Sequence, residues 1–74
     1  MLKIFVGVPE NDQHVEVPRD WTVTQILNEF GVQQQGQVTL NGRPLRPADL
    51  SKSISDLGAV ENDSLHVIKK LDSA

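Results

Sequence analysis

Leu2, Ile4, Val6 and Val8 alternate with Lys3, Phe5 and Gly7 at the head of the chain. A period of two marks a strand with one buried face. Pro9-Glu10-Asn11-Asp12 follows as turn chemistry, since proline fixes φ and Asn or Asp tolerates left-handed backbone. Alternation returns in His14-Val15-Glu16-Val17 and stops at Pro18, which has no N–H to donate to a ladder. The two runs predict a β-hairpin, with Phe5 on the face opposite Leu2, Ile4 and Val6.

The period then changes. Val23, Ile26, Leu27 and Phe30 recur at helical spacing and lay one apolar stripe along a helix from Val23 to Phe30. Thr22 can accept from the free N–H groups of its first turn while Gln25 reaches back, a capping box. Gly31 supplies a left-handed C′ position, and Val32 can fold back as in a Schellman motif. Such a short helix does not persist alone and must pack on a sheet. Val38-Thr39-Leu40 before Asn41-Gly42 predicts a second hairpin through a type I′ turn. Its return, Arg43-Pro44-Leu45, carries proline and so predicts a short edge strand. Between Arg46 and Asn62 no period survives. Leu50, Ile54, Leu57 and Val60 read as anchors, with one helical turn near Ser53 to Asp56, Ser53 as its cap and Gly58 as its end. Ser64-Leu65-His66-Val67-Ile68-Lys69-Lys70 closes as a strand with Leu65 and Val67 inward. The predicted order is β-β-α-β-β-turn-β.

Length limits what this pattern can build. At 74 residues the chain, 1–74, is expected to form one domain with no room for a large enclosed pocket. Seven Lys plus Arg against ten Asp plus Glu leave a net charge of −3, which disfavours nucleic acid and other polyanions as partners. Phe5, Trp21 and Phe30 are the only aromatics, too few for a base-stacking surface. The absence of cysteine excludes a disulfide framework, a thiolate nucleophile and a cysteine zinc site. The apolar start is too short for a signal peptide or membrane span, so a cytoplasmic, non-membrane protein is expected.

Taken in order, Ile4-Phe5-Val6, Val15-Glu16-Val17 with Thr22-Val23, Leu40-Asn41-Gly42-Arg43-Pro44-Leu45, Leu50 with Ile54-Ser55-Asp56-Leu57-Gly58, and Asp63-Ser64-Leu65-His66-Val67-Ile68 resemble ubiquitin and its β-grasp relatives over nearly the whole chain. The resemblance implies an α+β fold: a mixed sheet of four to five strands packed on one short helix, with the first and last strands adjacent and parallel at its centre. Ubiquitin-like modifiers and sulfur carriers end in Gly-Gly, because only glycine threads the narrow channel of an activating enzyme. Here Ser73-Ala74 occupy that place and none of the five glycines adjoins another, so conjugation is not expected. The short helix is closer to that of the sulfur carriers. Ubiquitin is read through an apolar patch on its exposed sheet face. At the matching positions Ile68 remains apolar and His66 remains histidine, while Thr39 takes the central position of the third strand and Arg43 replaces the lysine that follows it.

The residues implied for partner binding are therefore Phe5, Thr39, Arg43, His66, Ile68 and Lys70. Arg43, Arg46, Lys69, Lys70 and His66 are expected on one side of the sheet and Glu10, Asp12, Glu29 and Asp63 elsewhere, a split that steers an acidic protein. His14 and His66 stand alone, with no third ligand at metal-binding spacing, so no metal or other cofactor is implied. Ser51, Ser53 and Ser55 beside Lys52 fit turn and cap roles better than any nucleophile pattern. Trp21 fits a lid over the helix end better than an interface anchor. The reading is a monomeric, non-catalytic, non-conjugating adaptor or regulator that docks one other protein through its sheet face. The alternative is a degenerate sulfur-carrier or modifier still recognised by an activating-enzyme-like partner. In both, truncating Ile4 or Leu65 is expected to be costly, and truncating Phe5 or Ile68 cheap.

Overall fold

The computed structural model describes residues 1–33 and 36–69. The opening alternation forms β1 (Leu2–Val8), which turns through Pro9 and Glu10 into β2 (Asn11–Val17). Asn11 and Asp12, expected in the turn, belong to the strand instead, paired with Val8 and Gly7. Pairing along the hairpin outweighs their local turn preference. Gly7 is required where it stands. Its φ is +147°, and a Cβ there would lie 2.7 Å from the Asn11 carbonyl oxygen and 2.9 Å from Asp12 Cα.

Helix α1 (Val23–Glu29) starts in the predicted capping box, with Gln25 N–H donating to Thr22 Oγ1 at 3.1 Å and Thr22 N–H donating to Gln25 Oε1 at 2.9 Å. Phe30 is its C-cap rather than its last residue. Gly31 has φ +69°, and Val32 N–H donates to the Leu27 carbonyl at 2.8 Å, the Schellman closure. Val23, Ile26 and Leu27 are buried, while Trp21 and Phe30 are partly buried against the same core. Trp21 thus packs at the helix entrance, as a lid does.

Strand β3 (Gly36–Leu40) and the two-residue β4 (Arg43–Pro44) flank a turn with φ +53° at Asn41 and +85° at Gly42, as a type I′ turn demands. The segment after it differs from expectation. A 3-10 helix that the sequence pattern does not predict occupies Pro47–Ser51, while Ser53 to Leu57 makes the single turn expected near Ser53 to Asp56. Ser53 caps that turn through Asp56 N–H, and Gly58, at φ +81°, ends it. Val60 is no anchor. It is 61 % exposed, and Ala59, at 6 %, enters the core instead. The cause is a second turn, in which Val60 N–H donates to Asp63 Oδ2 and Asp63 N–H to the Val60 carbonyl, so that residue 60 faces solvent. Ile54 N–H donates to the Trp21 carbonyl at 2.8 Å and Thr24 Oγ1 to the Leu50 carbonyl at 3.1 Å, which ties this aperiodic stretch to α1.

Strand β5 (Ser64–Lys69) completes one sheet in the order β2-β1-β5-β3-β4. β1 and β5 are parallel and adjacent near its middle; the other pairings are antiparallel. Leu2, Ile4, Val6, Val38, Leu40, Leu65 and Val67 line the face toward α1, and all are buried.

Leu65→Ala and Ile4→Ala, each removing a fully buried side chain, are expected to cost about 2–5 kcal/mol in chemical denaturation, against under about 1 kcal/mol for Ile68→Ala. Equal costs would overturn the assignment of faces. Asp49 gives a pH-dependent check. The Arg46 N–H it accepts, and secondarily Lys52 at 3.2 Å, hold its carboxyl below the ordinary value of 3.8. Because the folded value is depressed, its contribution to stability is present above the ordinary value and is lost as pH falls through the lowered one. A carbon-13 titration is expected to place the Asp49 midpoint below 3.8, and a midpoint at or above it would show the carboxylate unbound in solution.

Candidate functional site

The face opposite α1 is built by register. Phe5 stands between His14 on β2 and Ser64 on β5, and Gly7 between Asp12 on β2 and His66 on β5. His66 in turn faces Thr39 on β3, which faces Pro44 on β4. Ile68 lies opposite Gln37. Residues directly opposite one another share a face, so Phe5, His14, His66, Thr39 and Ile68 lie on this outer side.

Phe5 is not a free wedge. Its ring stacks on His14 with centroids 4.2 Å apart and planes 9° from parallel, which leaves it half-buried. His14 Nε2 is also 3.2 Å from Asn62 Oδ1, which anchors the stack to the loop before β5. The expectation that Phe5 is cheap to truncate therefore changes, because this contact has to be broken. Nor does either histidine stand alone. Asp12 Oδ2 and His66 Nε2 meet at 2.9 Å from strands on either side of β1, and no side chain at position 7 stands between them. Asp12, expected apart from the cationic cluster, is thus part of the same face as His66.

Two further candidates fall differently from expectation. Thr39 is only 5 % exposed, enclosed between its cross-strand neighbours His66 and Pro44, and forms floor rather than contact surface. Arg43 registers with Leu40, whose side chain points to the helix side, and it lines a depression with Leu45, Asp49, Asp56 and Leu57. It sits at the rim of the sheet, so His66 and Arg43 do not form one cationic patch. Lys70 lies outside the described residues. Ile68 is 45 % exposed on the outer face, where it was expected. Residue order alone did not reveal the roles of Asp12, His14 and Gly7. Placing the turn at Pro9-Glu10 reveals them, because Phe5 and His14 then lie three residues from its two flanks.

His66 and Asp12 form an imidazole–carboxylate pair, but no described hydroxyl is hydrogen-bonded to the ring. No group of three or more potential metal ligands occurs among the described residues. On this open face the pair joins β2 to β5 across β1.

Neither a family model nor a curated protein matches the sequence. Solved structures do. A solution structure of the ubiquitin-like domain of Arabidopsis thaliana protein At2g32350 superposes at a TM-score of 0.72 with 23 % identity, over 99 % of this chain and 82 % of that one. A second determination of the same domain gives 0.63 and 23 %, over 99 % and 92 %. The fold is a ubiquitin-like β-grasp. At this identity the likeness concerns the fold, and the outer face of this β-grasp must be read from its own side chains.

A double-mutant cycle of Phe5→Ala and His14→Ala is expected to return a coupling of about 0.5–1.5 kcal/mol, as a stacked pair does. Additive losses would show the stack to be incidental.

Proposed function

We propose that this chain is a non-catalytic ubiquitin-like interaction module, a small cytosolic adaptor or regulator that docks another protein through its outer sheet face. One observation carries the reading: Ile68 is 45 % exposed on the same face as the stacked Phe5–His14 pair and the Asp12–His66 pair. An apolar side chain rimmed by fixed polar groups has the anatomy of a small docking patch, with apolar contact at its centre and hydrogen-bonding groups around it. The docking residues are Ile68, His66 and the exposed edge of the Phe5–His14 stack, with Thr39 as floor. The sequence carries net negative charge, which favours a protein over a polyanion as the partner.

A photo-crosslinking residue at position 68 is expected to yield discrete protein adducts in lysate of the native source, and the same residue at Gln25, on the exposed side of α1, is expected to yield none. Adducts confined to position 25, or equal at both, would move docking away from the sheet. With Thr39 buried at the patch centre, a generic ubiquitin-binding helix is expected not to saturate this face at micromolar concentration in an NMR titration.

A further inference from the structure

The two edges of the sheet are unequal. β4 is two residues long and includes Pro44, whereas β2 runs for seven residues without an internal proline. The backbone groups that β2 leaves unpaired can be identified. Phe5 N–H donates to the Asp63 carbonyl and the Lys3 carbonyl accepts from Asn62 N–H, so these β1 residues turn their peptide groups toward the β5 side. In an antiparallel pair the residues opposite them turn their own groups the other way. Asp12, His14 and Glu16 therefore direct N–H and C=O away from the sheet, and their side chains all lie on its outer face.

We propose that β2 accepts an extended basic peptide as a sixth, antiparallel strand, with the spacing cation-x-aromatic-x-cation. The spacing follows from register. Residues opposite Asp12 and Glu16 place their side chains beside two carboxylates, of which Asp12 also meets His66 through Oδ2 and Glu16 lies opposite Lys3 on β1, and the residue opposite His14 meets the end of the Phe5–His14 stack. The intervening residues lie on the helix side next to Gln13 and Val15, where Val15 already packs on the core and favours β-branched neighbours. Glu16 is exposed and has no ion partner among the described residues, and Glu10 adds a third exposed carboxylate at the turn. A second copy of this chain fits badly: the antiparallel register that overlaps all of β2 sets Asp12 against Glu16 at both ends. Like charges directly opposite destabilise such a pair, so the edge selects a cationic partner over itself.

This surface shares the Phe5–His14 stack with the docking patch but runs along the β2 edge rather than over Ile68, and the test separates the two. The whole chain, labelled with nitrogen-15, is titrated with the peptide Lys-Thr-Phe-Thr-Lys, capped at both ends, and with Glu-Thr-Phe-Thr-Glu. The basic peptide is expected to produce saturable shifts and slowed exchange at the Asp12, His14 and Glu16 amides, and the acidic one none. Glu16→Lys, at an exposed unpaired site, is expected to weaken the basic peptide roughly fivefold at low salt. Equal binding of both peptides, shifts centred on Ile68, no shift at millimolar peptide, or concentration-dependent dimerisation through β2 would each overturn the proposal.

Discussion

The parallel pairing of β1 with β5 is the constraint on which the rest depends. It joins the two ends of the sequence, so Phe5 N–H closes on the Asp63 carbonyl and Val6 faces Leu65. Parallel strands need a crossover connection, and here that crossover is everything from β2 to Asn62. Helix α1 has only seven residues and gains its stability by covering the apolar side of this pair. Ile4, Val6, Leu65 and Ile26 are all essentially excluded from water, so the pairing and the helix stabilise each other.

The outer side of the sheet depends on the same pairing. Because β1 lies between β2 and β5, a glycine in it places Asp12 and His66 within hydrogen-bonding distance although they are far apart in sequence. Two residues along β1, Phe5 fills the equivalent place with a ring that stacks on His14. One face thus carries a polar tie and an aromatic tie side by side. They tie side chains of β2, the long edge strand, to β5 and β1 respectively. The proposed docking patch and the proposed peptide edge would thus adjoin on this side of the sheet.

Helix α1, to within a residue, and the second hairpin were legible because their signals are local: a capping box at Thr22, a left-handed glycine at 31, and Asn41-Gly42; the first hairpin was legible as strands, but its turn is shorter than Pro9-Glu10-Asn11-Asp12 implies. The stretch from Arg46 to Asn62 was not, because its conformation answers to α1 rather than to its own periodicity. Ile54 is buried because its backbone is tied to Trp21, while Val60, equally apolar, is turned outward by a bond from Asp63. The candidate face was legible in part. Ile68 and His66 lay where alternation put them, but alternation reports only which side a residue faces, not how far its neighbours cover it, and Thr39 is enclosed on that side.

By itself the sequence determined the element types, their order, the buried stripe of each and the resemblance to a β-grasp, since these follow from periodicity and from residues whose backbone preferences act within a few positions. Tertiary structure alone decided that Asp12 meets His66 over Gly7, that His14 covers Phe5, that Arg43 stands at the rim and that β2 is the open edge. Each of these depends on which strands are neighbours and in what register, and a one-residue slip in register would exchange the two faces of a strand.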